Sequence, residues 1–394
     1  MGMRVVKMLD GQKPDAQLLS RESAFESDAI KAAMDIVVAV RERGDDALRE
    51  YTRQFDKVNL EDFRVPEEQI RAAARQVDDE VKEALQYAAA SIVDFHRRQV
   101  QQSFFDVRPD GSLVGSRVTP LASVGVYVPG GRAQYPSTVL MNVLPARVAG
   151  VKRIVMVTPP QADGKVDPVT LVAANIAGAT EIYAVGGAQA IAALAYGTNQ
   201  IEAVDKICGP GNAYVAAAKR LVSGDVGIDM IAGPSEVLVL ADETARPDLI
   251  AIDLMAQAEH DPKAACYLVT TDEYLLEDVE EAIEEFLARS PRSDITRTSL
   301  DKNGLALICP NLATALLAVN TIAPEHLEVQ MDQPMELLGL IENAGAIFLG
   351  PWTPESVGDY VAGPNHTLPT GGTARFSSPL SVDDFCKRSS VISY

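Results

Sequence analysis

From Arg153 onward, short runs of β-branched and other apolar residues alternate with alanine-rich stretches. RIVMVTPP is followed by PVTLVAANIAGA, EIYAVGG by AQAIAALAYG, and DKICGPG by NAYVAAAKRLVSG. MIAGPSEVLVLAD, an apolar helix around Gln257, ACYLVTTD, an acidic helix from Glu273 to Arg289 and LALICP continue the series. Apolar runs of strand length, interleaved with helices, predict parallel strands covered by helices on both faces. Two such blocks are expected, at about 130–235 and 237–378. Upstream the period changes. Ser27 to Asp56 and Pro66 to Val100 carry apolar residues three and four apart, which predicts helices, with Ser27 as a cap and Pro66 in a first turn. Between Ser103 and Pro129 the pattern becomes alternation, and Asp110-Gly111 predicts a hairpin turn.

Composition narrows the class. The 394 residues are 47% hydrophobic and 23% charged, which is globular and long enough for two or three cores. A formal net charge of −20 argues against sequence-independent nucleic-acid binding and against attraction to anionic membranes. No apolar run is long enough to span a bilayer, and the first residues lack a signal-peptide core. Cys208, Cys266, Cys309 and Cys386 are scattered without a C-x-x-C pair. Reduced thiols and a cytoplasmic location are expected.

Three strands end in glycine-rich turns: VYVPGG, YAVGGAQA and ICGPGNAY. Ligands of open α/β sheets sit beyond the carboxyl ends of strands, where helix N-termini present free N–H groups to phosphate. None of the turns is G-x-G-x-x-G, so each alone reads first as a tight βα connection. Three at successive strand ends put a phosphate-bearing ligand level with that plainer reading.

There are four histidines. His96, flanked by arginines, reads as a solvated helix face. His260 follows Gln257 by three residues in LMAQAEHDP, so the two share a helix face. They could cap backbone groups. Equally, a helix C-terminus favours a cation, and zinc accepts imidazole and oxygen ligands. Asp359, in a glycine-flanked loop, could add a carboxylate or serve as a turn cap. His326 follows Glu325 after Pro324, which reads as a helix start. Adjacent helical residues diverge by about 100°, so the pair suits two separate proton transfers better than one metal ion. A surface His beside an N-terminal Glu is the plainer alternative. His366 lies seven residues after Asp359.

With these residues assembled, the sequence resembles the histidinol dehydrogenase family over essentially its whole length. The matching stretches include VYVPGG, STVLMNVLPA, VGGAQAIAALAYGT, VDKICGPGNAYV, IDMIAGPSEVLV, LMAQAEHDP, APEHLE, SVGDYVAGPNH and SPLSVDDF. The resemblance implies an α/β fold of two incomplete Rossmann-like parallel-sheet domains with added N-terminal helices. The expected division is an N-terminal segment (1–25), a larger domain (26–126 with 237–378), a second domain on the NAD side (127–236) and the start of a truncated C-terminal tail (379–394). It further implies a zinc- and NAD-dependent homodimer that oxidises L-histidinol to L-histidine through L-histidinaldehyde, with two NAD⁺ per turnover. The family pattern puts NAD against Tyr127, Gln189 and Asn212. It puts substrate at Ser235, and zinc on Gln257, His260 and Asp359, which also face the substrate. Glu325 falls on the water-activating position, and His326 on the position that touches substrate and takes its hydroxyl proton. Family members continue into a helical tail that lends a zinc-ligand histidine and a substrate-contacting glutamate to the partner subunit. This sequence stops at Tyr394, so either it is incomplete or the protein lacks part of the site, and a chain that truly ended here is expected to be weakly active or inactive; the family pattern does not make His366 a ligand.

Three rivals remain at this stage. A relative of the same fold could oxidise another polar alcohol or diol. An aldehyde dehydrogenase could use Cys208 as nucleophile, although nothing around it offers a base. A tail-less relative could bind ligand without turnover.

Overall fold

The computed structural model describes residues 2–19, 27–130, 134–231 and 233–394. Its strands in the first half are β1 (Arg4–Lys7), β2 (Phe104–Val107), β3 (Leu113–Pro120), β4 (Ser123–Tyr127), β5 (Arg153–Thr158), β6 (Glu181–Ala184) and β7 (Lys206–Cys208). The second half adds β8 (Gly227–Ile228), β9 (Glu236–Ala241), β10 (Ala265–Thr270), β11 (Leu305–Ile308), β12 (His326–Gln330), β13 (Ala346–Leu349) and β14 (Cys386–Ser393).

The chain forms two compact units. One comprises Met1–Ala24, Ala232–Val357 and Leu368–Pro379; the other comprises Phe25–Ile231, Gly358–Thr367 and Leu380–Tyr394. The first is built on a six-stranded sheet ordered β1-β11-β10-β9-β12-β13, with every pairing parallel. Strands β9 and β10 are buried at every position. Val237, Val239, Cys266 and Leu268 pack with the helix Pro247–Ala258 on one face. Leu238, Leu240, Tyr267 and Val269 pack with the helix Leu312–Ile322 on the other. The apolar runs therefore mean what they usually do in a parallel sheet: two buried faces.

The second unit carries a five-stranded parallel sheet, β6-β5-β4-β7-β8, and a three-stranded antiparallel sheet, β14-β3-β2. The β2–β3 hairpin turns at Asp110-Gly111 as expected, with Gly111 at φ +85° and Asp110 Oδ1 accepting from Ser112 N at 2.9 Å.

Three expectations are corrected. Residues 26–126 were expected to join 237–378, but they group with the five-stranded sheet. There the helix Ser27–Arg43 packs on Gly187–Tyr196 and Ala213–Val222, while Glu67–Gln76 and Asp79–Arg97 pack on the helices flanking β5. The two long N-terminal helices are each interrupted, the first at Gly44, whose φ of +54° no helix accommodates, and the second at Val77–Asp78. Residues 379–394 were expected as the start of a C-terminal tail, and Leu380–Tyr394 group instead with the unit of the five-stranded sheet. Val382–Phe385 makes a 3₁₀ turn, and β14 pairs along its length with β3. The Ser27 side chain and Gly131 lie outside the described residues.

Candidate active site

In the five-stranded unit, parallel strands bring all carboxyl ends to one edge, and the three glycine-rich turns lie there. Tyr127 is the last residue of β4; its buried hydroxyl accepts from Gly187 N at 3.1 Å. Burial pushes its phenol up to about 12, so it stays protonated. Gln189 sits in the first turn of the helix Gly187–Tyr196, which follows β6, and is 1% exposed. Asn212 caps the helix Ala213–Val222, its Oδ1 accepting from Tyr214 N at 3.0 Å and Val215 N at 3.1 Å. The turn before it is fixed by a buried ion pair. Gly209, at φ +112°, donates its N–H to Asp229 Oδ2 at 2.8 Å and accepts from Lys219 Nζ at 2.9 Å. Lys219 and Asp229 pair directly, with side chains 4% and 1% exposed. A Cβ at Gly209 would collide with the Tyr127 carbonyl, so only glycine fits.

Cys208, beside this turn, is fully buried, and burial holds its thiol well above the ordinary range, with Asp229 adding to the effect. It cannot supply a thiolate nucleophile. His96 was expected on a solvated face, but is 0% exposed. Its Nδ1 meets Ile92 O at 2.8 Å, and burial lowers its pKa.

In the six-stranded unit, Glu325 and His326 open strand β12, not a helix. The preceding helix is ended by Ala323 in the left-handed conformation, φ +50°, and pairing with β9 and β13 then takes over. Both side chains bind the backbone of Glu236 on β9. Glu325 Oε2 accepts its N–H at 2.9 Å, and His326 Nδ1 lies 2.9 Å from its carbonyl oxygen. A carbonyl can only accept, so Nδ1 carries a proton, and in the neutral ring Nε2 holds the lone pair. The Glu236 carboxylate accepts from Gly371 N at 2.5 Å, and Ser235 precedes it, half-buried.

Gln257 occupies the last turn of Pro247–Ala258 and is 2% exposed. With its amide nitrogen as donor it reaches Glu355 Oε1 at 3.0 Å and Oε2 at 3.1 Å. The 3.2 Å bond from His260 N to Gln257 O keeps the two residues within one turn, but His260 is exposed. Glu355 also faces His326, with Oε1 3.7 Å from Nε2, so one small cation could touch both. Asp359, expected in a loop, lies one turn beyond Glu355 on the short helix Glu355–Tyr360. Helical spacing of four puts both carboxylates on one face. Glu355 was missed from the sequence; its spacing to Asp359 was the available signal. His366 is half-buried in the five-stranded unit.

Behind this group, Gln330 Nε2 donates to Asp253 Oδ2 at 2.8 Å and Glu328 Oε2 at 3.1 Å, while Glu328 Oε1 accepts from Glu355 N at 3.0 Å. Burial, with the Asp253 carboxyl alongside, raises Glu328 to about 9, so it is an uncharged acid at neutral pH.

Parallel sheets with glycine-rich carboxyl edges and a buried, tautomer-fixed histidine beside carboxylates define an α/β enzyme equipped for proton transfer. Comparison with known proteins makes the class specific. The sequence profile described as Histidinol dehydrogenase matches residues 19–394. Histidinol dehydrogenases from Bacillus cereus and Geobacillus kaustophilus are 55% and 56% identical, over 95% and 92% of this chain and 88% and 86% of theirs. The solved histidinol dehydrogenase of Elizabethkingia anophelis superposes with a TM-score of 0.93 at 38% identity, over 99% of this chain and 90% of that one. An acetylating aldehyde dehydrogenase from Geobacillus thermoglucosidasius, 14% identical with a TM-score of 0.51, shares the fold alone. The chain belongs to the histidinol dehydrogenase family. It is an oxidoreductase of histidine biosynthesis acting on a small molecule, in a family that uses NAD and binds zinc.

Proposed function

We propose that Glu325 and His326 carry the proton transfers of a four-electron oxidation of L-histidinol to L-histidine through L-histidinaldehyde. The observation that carries this reading is the 2.9 Å bond from His326 Nδ1 to the Glu236 carbonyl. It orients the imidazole so that Nε2 can accept the substrate's hydroxyl proton while hydride passes from the carbinol carbon to NAD⁺. Glu325, anchored through Oε2, then takes a proton from water as that water adds to the aldehyde. The aldehyde oxygen takes the first proton back from His326, and the resulting hydrate loses a second hydride to a second NAD⁺ and a hydroxyl proton to His326. In all, RCH₂OH, water and two NAD⁺ give RCOOH, two NADH and two protons.

Gln257, His260 and Asp359 would hold the zinc ion, with Ser235 and the same three residues toward substrate. The donor set fits, because amide oxygen, imidazole and carboxylate are all zinc ligand types, and Gln257 lies at a helix C-terminus, where the dipole favours a cation. Zinc, when bound, would orient the substrate and polarise its groups. Tyr127, Gln189 and Asn212 are assigned to NAD. Their position at the carboxyl edge of a parallel sheet supports this.

The reading includes a cytoplasmic homodimer. Four free thiols, Cys208, Cys266, Cys309 and Cys386, suit a reducing compartment, and no described helix is long and apolar enough to cross a membrane.

The test supplies zinc, L-histidinol and excess NAD⁺ and counts NADH formed per histidinol consumed. Two supports the complete reaction. One ends it at the aldehyde and removes Glu325 from its role, and none refutes the assignment. Sedimentation at micromolar concentration tests the dimer.

A further inference from the structure

Strand β12 places Leu327 and Val329 in the apolar core on one face, and His326, Glu328 and Gln330 on the other. Beneath an apolar helix that second face would ordinarily be hydrophobic. Here it meets Asp253, and the three polar side chains, Asp253, Glu328 and Gln330, are 7%, 1% and 2% exposed. Carboxyl groups so deeply buried cost stability, and hydrophobic residues of similar volume would hold the layers together at least as well. What hydrophobic packing would not supply is fixed spacing. Gln330 ties β12 to Asp253, one turn before Gln257. Glu328 ties β12, two residues after His326, to the first backbone N–H of the helix that begins at Glu355. The cluster thus touches each of the three elements that carry Gln257, His326 and the Glu355–Asp359 pair, within one turn of those residues.

We propose that Asp253, Glu328 and Gln330 are positioning residues, a buried hydrogen-bonded strut that sets the spacing of the zinc-holding and proton-accepting side chains. This rests on the assignment of Gln257 to zinc. Outer partners of this kind fix ligand orientation, and their loss weakens metal binding about 10- to 100-fold.

The experiment uses the whole chain, titrated with zinc against a chromophoric chelator, together with urea unfolding of the metal-free protein. Glu328→Leu and, independently, Gln330→Met keep the volume and remove the hydrogen bonds. Each is expected to weaken zinc binding at least tenfold while leaving the metal-free unfolding midpoint unchanged or higher. Glu328→Gln, whose amide nitrogen can donate to Asp253 while its oxygen accepts from Glu355 N, loses only the bond from Gln330 and should weaken zinc binding less than Glu328→Leu does. A purely structural role predicts the opposite split, a lowered midpoint with unaltered zinc affinity, and that result overturns the proposal. Should Glu328→Leu fail to fold, Gln330→Met alone decides in the same terms. Gln257→Ala keeps the two failures apart. If it binds zinc as the parent does, the ligand assignment is wrong; if it loses zinc while the strut variants do not, the strut is wrong.

Discussion

Replacing Lys219 by methionine gives the sharpest test of how the ICGPGN turn is held. The Lys219 and Asp229 side chains are 4% and 1% exposed, so solvent neither screens the pair nor can replace the lost cation. In Lys219→Met, Asp229 remains as a buried carboxylate that accepts from Gly209 N at 2.8 Å but has lost its cation, and the Gly209 carbonyl loses its 2.9 Å donor. Removing one partner of a buried pair costs about 3–5 kcal/mol. Expressed as local opening, that is roughly two to nearly four orders of magnitude, at about 1.4 kcal/mol per decade. Hydrogen exchange followed by mass spectrometry on peptides spanning 206–231 reads this directly, because opening of the turn and of Ala213–Val222 exposes those amides. Lys219→Met with Asp229→Leu, which removes both charges, should recover much of the loss. A less than tenfold change in exchange for the single variant would refute the reasoning, since it would mean that the pair is solvated in solution.

Three further outcomes are expected. Glu325→Ala should lower the four-electron turnover by about 10²–10⁴-fold; turnover close to the parent's, assayed by stopped-flow NADH formation, would remove Glu325 from water activation. His96, its pKa lowered by burial, is held neutral in the folded chain, whereas the unfolded imidazole takes up a proton below about pH 6.5. The unfolded state then binds more protons, so stability falls as pH drops from about 7 through 6.5 and below. The urea midpoint compared at pH 7.5 and 5.5 should show a smaller drop in His96→Phe; an identical drop in both proteins contradicts the account. Cys208→Ala should leave turnover within about twofold, because a thiol so raised by burial performs no nucleophilic step; a loss beyond tenfold with unchanged far-UV circular dichroism would reinstate the thiol.

The alternation of strands and helices was legible because a parallel strand buried on both faces leaves an uninterrupted apolar run, and β9 and β10 read as nothing else. His96 was misread although its signal was present. Leu85, Ala88, Ala89, Ile92 and His96 recur at helical spacing and are all buried, a periodicity that outweighs two adjacent arginines. Pro324 suggested a helix start before Glu325, yet strand pairing with β9 overrides that local preference. Glu355 and Asp359 occupy a six-residue helix with no buried residue, too short for an apolar stripe to form, so their spacing of four was the one signal that could group them. Domain membership of the N-terminal helices was illegible for another reason. An amphipathic stripe shows that a helix has a partner, but not which sheet supplies it.

The pairing of β1 with β11, and of β14 with β3, bears on how this chain is made. Each unit is assembled from segments separated by most of the sequence, so neither can close while its later segment is still inside the ribosome. Strand β3 leaves the exit tunnel about 270 residues ahead of its partner, a wait of roughly 15–55 s at about 5–20 residues per second. Throughout that interval the nascent chain presents an open strand edge beside Phe104 and Phe105, both exposed even in the finished fold. Expression yield should therefore depend on translation speed and on holdase chaperones more strongly than on the stability of the completed protein.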